Sequence, residues 1–176
     1  MTTPPRPLPD DAQVVTITYL EMRERDAVRP RPCPDPRFQV REATVKQWRF
    51  NKFLYTLVGN DWKWFDKLKW TDEQWRDYAE ADSLRTFPAW YDGSPAGYFE
   101  LRSDANNDVE IAYFGLSAPF IGRGFGGYLL SVTLQEAWAM APRRVWVHTC
   151  SLDHPSALAN YQARGLRSYR EEIVLV

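Results

Sequence analysis

Ser117-Ala-Pro-Phe-Ile-Gly-Arg-Gly-Phe-Gly-Gly-Tyr-Leu-Leu130 is the stretch on which the reading of this 176-residue chain turns. It follows an apolar strand-like run, Val109 to Leu116, and opens a helical pattern that extends to about Met140. Glycines 122, 124, 126 and 127 therefore cluster where a strand hands over to a helix. Without side-chain bulk there, main-chain N–H groups can close on an anion, and the helix adds unpaired donors and the positive end of its dipole. A phosphate or diphosphate is the expected guest, and Arg123 within the loop supplies a guanidinium that suits one. A tight turn with no ligand would also use such glycines.

Three phosphate loops compete for this stretch. A P-loop would continue Gly-Lys-Ser/Thr, whereas the chain has Gly126-Gly127-Tyr128. A dinucleotide fingerprint can be read at Gly122, Gly124 and Gly127, but it calls for an acidic residue about 20 positions on, where Val147 and His148 stand. The remaining chain is also too short for the further parallel units that fold requires.

The third loop fits. Ile121-Gly-Arg-Gly124-Phe-Gly126 resembles the acyl-CoA loop of the GNAT superfamily (general N-acetyltransferases), Gln/Arg-x-x-Gly-x-Gly/Ala, with Ile121 in place of the usual polar residue. Downstream, Ala157-x-x-x-Tyr161-x-x-x-Gly165-Leu166 is similar to the family's Ala-x-x-x-Tyr-x-x-x-Gly-Phe signature. The likeness spans roughly Phe38 to Val176. It implies an α/β (α+β) fold with a mixed central sheet flanked by helices. It also implies acetyl-CoA as co-substrate and a primary amine of a small molecule or peptide as acceptor; no metal is expected, because the two histidines, His148 and His154, lie six apart on different elements.

The same resemblance assigns site residues. Leu116, Gly122, Arg123, Gly124, Phe125, Gly126 and Gly127 would bind the cofactor. His154 stands where the family often has Asn and would add a hydrogen bond, or else cap the next helix. Glu110, on the strand before the loop, resembles the base of the histone-acetylating branch; pairing with an arginine is its structural alternative. Strict alternation would put Val109, Ile111 and Tyr113 on one face and Glu110 with Ala112 and Phe114 on the other. Tyr161 would serve as the acid for the departing thiolate, or pack as a core tyrosine. Trp62 and Trp64 belong to an aromatic group that would shape an acceptor pocket, fill the core or form a homodimer interface. Cys150 beside His148 or His154 allows a covalent route, which the family mostly does without. A non-catalytic CoA-binding sensor is the second functional reading, and Ile121 keeps it open.

Composition narrows the setting. A formal charge of −1 offers no basic field for nucleic acid or a membrane surface. Lysines 63, 67 and 69 interleave with tryptophans, as in single-strand binders, but the run is short. Cys33 and Cys150 are too few for a disulfide framework. Residues 1–12 are polar and proline-rich, read as a flexible tail without a secretory h-region. No apolar run has the length of a membrane span. A cytoplasmic protein is expected.

The remaining elements follow in order. Gln13–Leu20 reads as a strand, and residues 30–36 as an extended proline-rich connector. A second strand at Phe38–Ala43 opens the GNAT-like domain, residues 37–176. Helices are expected over Val45–Val58, stopped by Gly59, and from a capping box at Thr71–Gln74 to Asp82. A hairpin turns at Asp92-Gly93. Beyond the loop helix come a strand at Arg144–His148, a helix at Pro155–Arg164 and a final strand at Ser168–Val176. Family members usually end in two strands and this chain in one. The extra strand near the N-terminus is therefore expected to join the sheet, covering an exposed edge.

Overall fold

The computed structural model describes residues 13–175, so the expected tail at 1–12 lies outside them. Seven strands form one sheet: β1 (Val14–Met22), β2 (Phe38–Val40), β3 (Leu84–Tyr91), β4 (Ser94–Ser103), β5 (Asp108–Leu116), β6 (Arg144–Cys150) and β7 (Arg167–Leu175). Their spatial order is β2-β3-β4-β5-β6-β1-β7. Every neighbouring pair is antiparallel except β5 with β6.

The N-terminal strand does join the sheet, but it covers no edge. β1 runs inside, bonded to β6 on one side and β7 on the other. Its inward residues Leu20 and Met22 are buried, so the core needs it. β7 is left as the edge, with Ile173 exposed, and its Arg170 and Glu171 supply the charge that blunts unwanted pairing.

Helices cover the two faces. α1 (Trp48–Gly59) and α2 (Asp72–Ala79) lie on one. Residues 48, 51, 55 and 58 of α1 repeat at helical spacing and are buried, and Leu54 and Val58 pack on Tyr98 of β4. Thr71 and Gln74 make the expected reciprocal capping box on α2. α3 (Phe125–Ala139) and α4 (Ala157–Ala163) cover the other face. There Leu129, Leu130, Leu134 and Tyr161 close the main core against Phe99, Ile111 and Val147.

Two local details depart from the simplest expectation for identifiable reasons. α1 does end at Gly59, but without the left-handed glycine of a usual stop: the Gly59 backbone stays helical and leads into a 3-10 turn, and the left-handed residue is Lys63. Glycine is needed at 59 because a Cβ there would collide with the Trp64 ring. In β5 the register to β4 shifts between Glu100↔Tyr113 and Leu101↔Ile111, which leaves Ala112 as the extra residue of a bulge. Glu110 faces Arg102 and Tyr113 faces Glu100, so Tyr113 shares the face of Glu110 and Phe114 does not. Phe114 turns to the α4 side and meets Tyr161.

Candidate active site

β5 and β6 pair over only three residues, Asp108–Glu110 with Arg144–Trp146. Past Glu110 they separate. The closed end is pinned by Asp108, whose carboxylate accepts from Arg143 Nε at 2.9 Å and Arg144 Nε at 2.7 Å. The Arg143 bonds, and then those of Arg144, outweigh burial and hold this acid low, at about 2. The open end is a cavity of about 1170 Å³ lined from both faces of the sheet. Gly127, Asn160 and Tyr161 reach it from the α3–α4 side, and Tyr78, Arg102 and His148 from the other.

The glycine loop forms one end of this cavity, through Ile121, Gly122, Gly124, Gly126 and Gly127. Gly124 is the N-cap of α3 with φ +83°, a left-handed conformation natural to glycine, and it offers no capping side chain. The turn before it is closed by the Ile121 N–H on the carbonyl of Ala118. From 122 to 127, no N–H bonds a carbonyl outside the helix among the described residues, and the first turn of a helix has no internal acceptors for its own. Asn160 Nδ2 donates to the Gly126 carbonyl at 3.2 Å and ties α4 to this turn.

Not every residue expected here turns inward. The Arg123 guanidinium lies over the rings of Tyr91, Phe120 and Phe125, away from the cavity lining. The Phe125 side chain stacks on Phe38 at 4.4 Å inside the core. Leu116, His154, Trp62 and Trp64 do line the cavity. His154 Nδ1 accepts the Ser156 N–H at 3.0 Å, and its ring meets Trp62 edge-on. Trp64 also packs against Tyr55 and Tyr113.

Glu110 and Tyr161 both line the same cavity. Glu110 is 8% exposed at the side chain; its Oε2 accepts from Arg102 Nε at 2.9 Å, and its Oε1 stands 4.0 Å from His148 Nδ1. Tyr161 is buried, and that burial, with Asp153 nearby, pushes its phenol well above the ordinary tyrosine range. Burial also raises the Cys150 thiol, which disfavours the thiolate a covalent route needs.

The sequence marks Lys67 only as one of the lysines interleaved with tryptophans and Asp66 only as a possible partner for an ammonium, and no motif marks Glu100, Arg31 or Arg164. Lys67 places its ammonium 4.1 Å from the Trp70 ring centroid and 4.7 Å from that of Tyr78, with Asp66 Oδ2 at 3.0 Å. Asp66 also accepts from Tyr55 and Tyr113. Beneath them Glu100 is fully buried, bonded by Asn51 and Tyr78, and burial raises its pKa despite those donors. Arg31 and Arg164 border the loop end of the cavity.

The model of the Acetyltransferase (GNAT) family matches residues 42–166, well over half of the chain. This chain belongs to the GNAT acetyltransferase family. No curated protein matches it in sequence. Solved GNAT structures share its fold. A GCN5-related N-acetyltransferase from Sphaerobacter thermophilus aligns with TM-score 0.68 and 17% identity over 92% of this chain and 50% of that one. One from Kribbella flavida aligns with TM-score 0.67 and 14% identity over 93% and 59%. A tandem GNAT protein from the clavulanic acid biosynthesis pathway aligns with TM-score 0.61 and 17% identity over 94% and 53%. The chain thus spans between half and three fifths of the length of these three. Among the described residues, no helix of this GNAT chain is long and apolar enough to cross a membrane, and no cluster of three potential metal ligands occurs.

Proposed function

We propose that the chain is an N-acetyltransferase that moves an acetyl group from acetyl-CoA to a primary amine of a small molecule or peptide, in the cytoplasm and by direct attack in a ternary complex. One observation carries the reading. The unspent N–H groups of residues 122–127 share a single cavity with Tyr161 and Glu110, at the point where β5 and β6 separate. Acetyl-CoA supplies the activated carbonyl and a thiolate leaving group. The loop amides fit its diphosphate, and the gap beside β5 fits an extended arm that lacks a strand partner.

An alkylammonium with a pKa of ~10.4 must lose a proton before its nitrogen can attack. Glu110 receives that proton on Oε1, directly or by way of His148, while Arg102 fixes Oε2. As the C–N bond forms and the C–S bond breaks, the second proton shed by the nitrogen goes to the departing sulfur, which Tyr161 O–H faces. A phenol raised by burial keeps its own proton against a thiolate of pKa ~8.5, so Tyr161 acts by donating a hydrogen bond. Trp62 and Trp64 border the acceptor side.

The arginine pairing of Glu110 favours a second reading, a CoA-binding sensor without turnover. Thiol release from acetyl-CoA across a panel of amines decides between them. Acceptor-dependent release supports the transferase, and CoA binding with no release for any amine supports the sensor.

A further inference from the structure

The connector between β1 and β2 is strapped across the loop end of the cavity. A Cβ at Gly165 would collide with Ala27 O, so the strap rests directly on the glycine that follows α4. Arg29 N–H donates to the Arg164 carbonyl at 3.0 Å. Arg31 N–H donates to Ser131 Oγ at 2.8 Å, and that hydroxyl donates in turn to the Gly127 carbonyl. These bonds set the Arg31 side chain on the first turn of α3. A Cβ at Gly127 would meet Arg31 Cδ at 2.7 Å and Arg164 Nη1 at 3.2 Å. Glycine at 127 therefore makes room for the Arg31 stem and the Arg164 guanidinium.

This arrangement is electrostatically one-sided. Arg31 and Arg164 form no ion pair among the described residues. Among the described residues, Arg164 Nε and Nη1 are buried without a hydrogen-bond partner, an arrangement that costs free energy until an acceptor meets them. Burial, and after it the charge of Arg31, lowers the Arg164 pKa. Both residues face the positive end of α3, where one more cation is unfavourable. Two like charges, buried donors and a helix N-terminus converge on one corner of the cavity, and only a polyanion relieves all three.

We infer that Arg31 and Arg164 clamp the diphosphate of the carrier, so that the N-terminal strap completes the cofactor site and replaces the polar side chain missing at Ile121. The inference rests on the acetyl-CoA reading above. Calorimetric titration of the full chain with CoA, 3′-dephospho-CoA and pantetheine tests it, in wild type, Arg31→Gln, Arg164→Gln and the strap control Arg29→Gln. Thermal melting of each variant verifies folding, with Arg31→Lys and Arg164→Lys as conservative forms. Loss of a charge-assisted bond predicts affinity for CoA and dephospho-CoA weakened by about ten- to a hundredfold in either variant. Pantetheine binding should be unaltered, and Arg29→Gln should match wild type. Wild-type affinity for CoA in both variants overturns the clamp while leaving the acetyl-CoA reading intact. A loss confined to CoA and absent for dephospho-CoA overturns the assignment to the diphosphate. Failure of the wild type to bind CoA removes the reading on which the inference stands.

Discussion

Replacing Gly124 by Asn and by Asp separates the shape of the loop from its charge. The site can receive either residue, since the nearest atoms to an added Cβ are Arg31 Nη2 and Pro34 Cγ, both at 3.9 Å. At φ +83° both pay the left-handed cost, and Asn and Asp are the side chains that tolerate it best. That cost, about 1 kcal/mol, lowers Tm by roughly 2–4 °C in a domain of this size and is shared by the pair. The variants differ by one negative charge at the N-terminus of α3. At about 5 Å from a phosphate charge, with an effective dielectric of about 20–80, repulsion is roughly 1–3 kcal/mol, or about 5- to 150-fold in Kd. Asp would also draw the Arg31 guanidinium to itself. Isothermal titration with CoA at low salt should thus find Gly124→Asp weaker than Gly124→Asn by that factor, with the gap narrowing at high salt. Equal affinities in the two variants would refute the claim that a phosphate occupies this loop.

Three further outcomes follow from other parts of the fold. Leu20→Ala, at a fully buried position of β1, should cost about 2–5 kcal/mol by denaturant titration; a loss below about 0.5 kcal/mol would mean that β1 is dispensable to the core. Asp108 has a folded pKa of about 2, below its unfolded value of about 3.9. Its contribution, about 2 kcal/mol, is complete above about pH 4 and is lost as pH falls toward 2. Asp108→Asn should therefore be less stable at pH 6 and show a shallower loss between pH 4 and 2, and parallel curves would contradict this. Tyr161→Phe should lower kcat by about 10- to 100-fold with CoA affinity changed less than about threefold; an equal loss in both would assign the phenol to packing.

Local chemistry made much of this fold legible. Asp92-Gly93 forms the expected hairpin turn, with φ of 47° and 82°, because few residue pairs accept that conformation. The Thr71–Gln74 box and the glycine loop were readable for the same reason: their function is confined to a few adjacent residues. What escaped depends on distant partners. The bulge at Ala112 arises from pairing with β4 and inverts the faces beyond it, so Tyr113 joins Glu110 in a way no alternation pattern reveals. α1 ends at Gly59, yet what demands glycine there is the distant Trp64 ring. Arg31 lies in a proline-rich connector with no motif around it, and only the insertion of β1 between β6 and β7 brings it over the loop.

The central claim, that main-chain amides of residues 122–127 hold the diphosphate, is tested most directly by amide resonances. In a 15N-labelled chain titrated with CoA and, separately, with pantetheine, the N–H signals of Gly122, Gly124, Gly126 and Gly127 should shift downfield and gain exchange protection with CoA alone. Unmoved glycine amides in a chain whose other signals report CoA bound would contradict it.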